Sequence, residues 1–240
     1  MRSERLVDSV LPDPLDAVLL DAGGVLLDLD YAYLRRLIRV NDSEVTEVDL
    51  ARAEAAARQE INRHVTDGGT VGEAWRDYFH VLLERVGIVM TQRDSIIDSL
   101  WEAHQRFGLW TVPIEGGPDT VKTLLRNGHR LGVVSNAEGQ VARDLDNAGY
   151  RDLFEIVVDS HVVGVEKPDP AIFQIAIEKM KVRPEATIFV GDVPSVDVAG
   201  ARAAGITPIL LDRYELFLDW DVIRLRTTRE LADLLGCDGE

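Results

Sequence analysis

Short apolar runs that each stop at a polar residue recur along this chain, and they limit its fold more than any other feature. Ala17–Leu20 runs into Asp21, Leu131–Val134 into Ser135 and Asn136, and Ile188–Val190 lies just ahead of Asp192. Ile156–Asp159 and Pro208–Asp212 have the same character. Runs this short, rich in Val and Ile, fit strands buried on both faces of a parallel sheet. Helical segments fall between them at Asp119–Arg126, Gln140–Asn147, Pro170–Met180 and Val198–Ala204. Five strands with crossover helices predict an α/β fold with a doubly wound parallel sheet core.

The stretch between the first two strands has a different texture. From about Tyr31 to Trp110 the pattern is helical, with no strand signal of any strength. Trp75, Tyr78, Phe79, Leu82, Leu83 and Val86 recur at helical spacing, as do Ile96, Ile97, Leu100 and Trp101. These are read as the core faces of a bundle, not as a cofactor box. Thr70 with Glu73, and Thr91 with Asp94, have the spacing of N-terminal capping pairs and predict two helix starts. The expected organisation is a core of residues 15–29 and 113–240, an inserted all-helical domain of residues 30–112, and a loose leader of residues 1–14 punctuated by Pro12 and Pro14.

Composition excludes several classes of partner. The 240 residues carry 26 Lys and Arg against 42 Asp and Glu, a formal net charge of -16. Such a field repels a phosphate backbone, so no nucleic-acid partner is expected. A small phosphorylated metabolite needs only a local cation. No apolar run approaches the ~18 residues of a membrane helix, and residues 1–14 lack the apolar middle of a signal peptide, so no membrane partner is expected. The single cysteine, Cys237, permits no internal disulfide and no Cys-based metal site, which favours a reducing, cytoplasmic setting. The pattern sets no oligomeric state.

Doubly wound sheets bind ligands beyond the carboxyl ends of their strands, so the polar residues there are the candidates. Asp21 follows four apolar residues and precedes the Gly23–Gly24 turn; its carboxylate can attack phosphorus or carbon, hold a metal, or only shape the turn. Asp192 with Asp21 can supply two carboxylates to an octahedral magnesium ion. Asp197 has the position of an N-cap for the Ala199–Ala204 helix, which is compatible with orienting the site. Ser135 and Asn136 carry a hydroxyl and an amide that can donate to phosphate oxygens. Lys167, stiffened by Pro168 and Pro170, supplies the cation that a dianionic phosphate requires.

Taken together, the segments LLDAGGVL, VVSNAEG, GVEKPDP and VGDVPSVD resemble, in order and in strand-end placement, the four motifs of the haloacid dehalogenase superfamily. The helical insertion resembles that family's four-helix cap, which carries substrate selectivity. The resemblance implies a magnesium-dependent phosphatase in which Asp21 is the nucleophile that becomes an aspartyl-phosphate. Ser135, Asn136 and backbone amides near Gly24 would hold the phosphoryl group, and Lys167 would neutralise nucleophile and phosphate. Asp21, Asp192 and the carbonyl of Gly23 would bind Mg2+, with Asp197 behind them.

One position departs from the family pattern. Most family phosphatases carry a second Asp two residues after the nucleophile, as the acid that protonates the leaving oxygen; here that position is Gly23. General acid-base help is worth ~10²–10⁴ in rate. A phosphatase lacking it suits anomeric sugar, acyl or aryl phosphates, or borrows a carboxylate from Asp28, Asp30 or the insertion. The alternatives are a non-catalytic or regulatory phosphate-binding protein, a receiver-like phosphoacceptor being its remoter variant, and a 2-haloacid dehalogenase, although that branch departs from the motif that keeps Asp192. The histidines add little: His64, His80 and His104 are expected in core or solvent, His161 in a loop, and His129 where a cation meets a helix dipole.

Overall fold

The structure, a computed structural model, describes residues 11–40 and 43–237, so residues 1–10 of the expected leader lie outside the described residues. The chain divides into two compact units: one holds the chain up to Asp28 and from Trp110 onward, the other is Leu29–Leu109.

The first unit is built on a six-stranded parallel sheet. Its strands are β1 (Ala17–Leu20), β4 (Leu131–Ser135), β5 (Ile156–Asp159), β6 (Thr187–Gly191), β7 (Thr207–Leu211) and β8 (Ile223–Leu225), in the order β8-β7-β6-β1-β4-β5. A separate two-stranded sheet pairs β2 (Leu27–Leu29) with β3 (Trp110–Pro113). The order reverses at β1, which sits between β4 and β6 and therefore has its C-terminal end at the switch point where such sheets bind ligands.

Alternation along β1 feeds two apolar layers. Val18 and Leu20 pack in a cluster with Val121 and Leu124 of α5 (Gly117–Arg126) and Leu231 near the C-terminus. Ala17 and Leu19 pack in another with Ile172, Phe173 and Ala176 of α8 (Pro170–Met180). Full burial of a Leu or Val side chain stabilises by roughly 1.5–3 kcal/mol, so a polar residue inside β1 would be costly on either face. Asp21 is tolerated because it lies one residue past the strand.

The sequence leads to five strands, and the structure adds the sixth, β8. Its exposure pattern, half-buried, exposed, buried, is that of a sheet edge, and three residues are too few to produce a recognisable run. The predicted helix at Val198–Ala204 is also altered: a π-helical turn over Pro194–Val198 precedes α9 (Ala199–Ala203).

The second unit contains α1 (Tyr31–Leu37), α2 (Glu47–Thr66), α3 (Val71–Arg85) and α4 (Met90–Phe107). Tyr78, Phe79, Leu82 and Leu83 form the buried face of α3, and Trp75 packs against Phe79 and Trp101 with ring centroids 4.5 and 4.9 Å apart. Thr70 and Glu73 form the predicted capping box of α3. Thr91 and Asp94 do not cap α4, which begins one residue before Thr91, at Met90, with Val89 as an N-cap that makes no side-chain bond. An unforeseen capping box, Thr46 with Asp49, starts α2. One short antiparallel pairing, Arg39–Val40 with Ser43–Glu44, interrupts the expected all-helical pattern.

Candidate active site

The ends of β1, β4 and β6 bring Asp21, Ser135, Lys167, Asp192 and Asp197 together. Every one of these side chains is buried. Asp21 Oδ1 accepts from the Ala22 N–H at 2.7 Å, and Oδ2 lies 2.8 Å from Lys167 Nζ. The Ser135 hydroxyl bonds the same carboxylate. A carboxylate held at both oxygens has little rotational freedom to lose in any reaction it enters.

Lys167 is 1 % exposed, and its ammonium is shared between two carboxylates: Asp197 Oδ1 also lies 2.8 Å away. The Phe189 ring lies beneath it, 5.2 Å from centroid to Nζ. Burial alone would depress an ammonium, but Asp197 and Asp21 outweigh it and hold Lys167 above its usual range. Burial pushes the Asp21 carboxyl up from the ordinary range, against the downward pull of Lys167.

Asp197 does not cap α9. Its Oδ2 turns back to accept the N–H groups of Asp192 and Val193, both at 2.9 Å, while its Oδ1 takes Lys167. The π-helical turn sets it in that position. Gly191 makes room: a β-carbon there would lie 2.3 Å from Asp197 Cβ and 2.4 Å from its Cγ. Gly200 lets the next helix approach, since a β-carbon would meet the Pro168 carbonyl at 3.0 Å.

Asn136 reaches the Lys167 backbone and not an open donor position. Its Nδ2 donates to the Lys167 carbonyl at 2.9 Å and its Oδ1 accepts from the Lys167 N–H at 2.8 Å. Gly24 takes φ 77°, a conformation that favours glycine, and its N–H donates to the Leu27 carbonyl at 2.8 Å. That amide is committed to the turn, whereas the resemblance placed it on the phosphoryl group.

Gly23 lies against an aromatic ring. A β-carbon at Gly23 would sit 3.6 Å from Cδ1, 3.7 Å from Cγ and 4.0 Å from Nε1 of Trp110. The carboxylates considered as substitutes for the missing Asp have other employment: Asp28 is bonded by the Arg213 guanidinium, and Asp30 caps α1 by accepting from Tyr33 N–H at 2.8 Å.

Asp159, at the end of β5, organises the loop that follows Asn136, a function its sequence context gave no hint of. It accepts from Gly139 N–H at 3.1 Å and His161 N–H at 3.0 Å. Among the other histidines, His104 stacks on Trp75 and burial holds it down to about 4, while burial also lowers His129, which works against the cation expected at that helix end.

One oxygen from each of Asp21, Asp192 and Asp197 lies within 4.8 Å of the other two. Three carboxylates around one ammonium leave an excess of buried negative charge, which is expensive without a cation. Hard oxygen donors at this density fit magnesium, which keeps several waters and takes one or two carboxylates.

A doubly wound sheet with a buried Asp at the end of its first strand, facing a Lys and a second Asp pair, has the layout of a hydrolase that works at the strand ends. The family profile described as haloacid dehalogenase-like hydrolase matches residues 15–205, and the chain belongs to that family. It is 31% identical over 151 residues to haloacid dehalogenase-like hydrolase domain-containing protein 3 of Mus musculus, covering 62% of this chain and 60% of the relative. It is 30% identical over 160 residues to a phosphoserine phosphatase of Thermus thermophilus, covering 63% of this chain and 61% of that protein. The chain thus spans about three-fifths of the length of the curated relatives it matches. Among solved structures, a dehalogenase superposes with a TM-score of 0.66 at 21% identity, covering 95% of this chain and 100% of the other, which places the fold. Among the described residues no helix is long and apolar enough to cross a membrane.

Proposed function

We propose that the protein is a magnesium-dependent phosphatase that hydrolyses a small phosphorylated metabolite through an aspartyl-phosphate on Asp21. The observation that carries this reading is the shared ammonium of Lys167, 2.8 Å from both Asp21 Oδ2 and Asp197 Oδ1, with Asp192 beside them. The similarity to a phosphoserine phosphatase supports the phosphate class over halogenated acids.

Each residue then has a task. Asp21 attacks phosphorus in line while Lys167 balances the charge of nucleophile and phosphate, and the Ser135 hydroxyl turns from Asp21 to a phosphoryl oxygen. Asn136 acts indirectly, by fixing the peptide that carries Lys167. Asp197 keeps Lys167 charged and holds the turn that presents Asp192. Asp21, Asp192 and the Gly23 carbonyl would hold Mg2+, which would supply positive charge to offset that of the phosphoryl group. In the second step water attacks phosphorus, the Asp21–phosphorus bond breaks, and phosphate leaves with the Asp21 carboxylate restored. Residues 30–112 are the proposed selectivity-bearing cap, residues 15–29 and 113–240 the catalytic core, and the cytoplasm the proposed compartment.

The test is a phosphometabolite screen with and without magnesium, run alongside the Asp21→Asn variant and halogenated acids. Turnover of phosphates that needs magnesium and vanishes in the variant is expected. Full activity in Asp21→Asn removes the nucleophile; release of halide without phosphate hydrolysis favours the dehalogenase reading.

A further inference from the structure

An indole lies beside Gly23, the position for which the family resemblance implies an acid. Trp110 opens β3, more than eighty residues from the nucleophile, yet its five-membered ring lies 3.6–4.0 Å from the point where a side chain at position 23 would begin. The Cβ distances are those of ordinary contact, so Gly23 is not required by crowding at Cβ; a longer side chain would share its space with the ring. The indole N–H donates hydrogen bonds but does not release its proton at physiological pH, so Trp110 cannot replace the missing acid. What it offers beside position 23 is a flat, polarisable ring, and such rings favour stacked or edge-on aromatic partners.

Two separate demands therefore meet on one substrate class. The absence of an acid at Gly23 favours a leaving group that departs as an anion, and the Trp110 face favours a planar one. We propose that Trp110 is a specificity-determining residue that selects aryl phosphate monoesters. This rests on the phosphatase reading. As the Asp21 oxygen bonds to phosphorus, the ester P–O bond breaks and its electron pair leaves with the oxygen as aryloxide, which takes a proton from solvent after departure. Attack by water on the aspartyl-phosphate then yields inorganic phosphate, the Asp21 carboxylate and one proton to solvent.

The deciding comparison is phenyl phosphate against acetyl phosphate, both of which depart without an acid while only the first is aromatic. In Trp110→Leu, kcat/KM for phenyl phosphate is expected to fall about 10-fold, mostly through KM, with acetyl phosphate changed less than twofold; Trp110→Phe should keep most of the preference. Calorimetric binding of phenylphosphonate and methylphosphonate supplies a readout without turnover, and the aryl ligand should bind about 10-fold tighter to the native protein only. An equal loss on both substrates, or no loss on either, overturns the assignment and leaves the phosphatase reading standing. Trp110-dependent binding of phenylphosphonate without hydrolysis of any phosphate keeps the aromatic wall and overturns catalysis. If neither substrate is turned over and neither phosphonate binds, both fall.

Discussion

Lys167 and Asp197, thirty positions apart, form a buried ion pair at 2.8 Å in which Asp197 also accepts two backbone N–H groups with its other oxygen. One carboxylate thereby fixes the charge state of the cation and the shape of the turn holding Asp192. A buried ion pair is weak evidence for stability, but breaking one side of it is strongly destabilising because a charge is left uncompensated.

Asp197→Asn keeps the shape of the side chain and removes its charge. Turnover is expected to fall about 10–100-fold, the range seen when partners of site ligands are altered. Since Asp197 is the leading influence that raises Lys167, its neutralisation lowers the ammonium's pKa. Activity that needs protonated Lys167 is lost as pH rises, so the alkaline limb of the pH–rate profile should move to lower pH. An unmoved limb with normal turnover would separate Asp197 from the chemistry.

Gly191→Ala introduces one methyl group at a point 2.3 Å from Asp197 Cβ. Neither the strand nor the turn can yield without moving Asp197, so a cost of about 1–3 kcal/mol is expected, together with loss of most activity. Thermal unfolding and a phosphatase assay on the same preparation read both effects; a variant with native melting temperature and native turnover would show that the turn relaxes freely.

His104 gives the second unit an acid-sensitive point. Burial lowers its pKa from 6.5 to about 4, so the unfolded chain binds a proton more readily than the folded one between those values. Stability is complete above pH 6.5, declines as pH falls toward 4, and levels off below it, for a total of about 2 kcal/mol after allowing for partial exposure. His104→Phe should flatten melting temperature against pH across that window, as read by calorimetry. An unchanged slope would assign the acid sensitivity elsewhere.

The sheet and the chemical residues were legible because both follow from local rules: apolar runs make buried strands, and polar residues at their ends face the crevice. Asp21, Ser135, Lys167 and Asp192 converge for that reason. What stayed hidden depends on contacts between distant parts of the chain. Asp197 reads as a helix cap until the π-helical turn aims it backward at Asp192 and Val193. Asn136 reads as a phosphate donor until the Lys167 loop arrives to take both ends of its amide. Gly24 reads as an open amide, but the four-residue turn to Leu27 consumes it. Gly191 is an ordinary strand glycine in sequence, and nothing near Trp110 in the chain announces Gly23 as its neighbour. β8 escaped because a three-residue edge strand, exposed on one side, leaves no apolar run to read.

The two-sided grip of Asn136 on the Lys167 peptide welds the hydroxyl-bearing and ammonium-bearing loops into a single block. A displacement of either strand end carries its neighbour along, and the spacing between hydroxyl and ammonium survives.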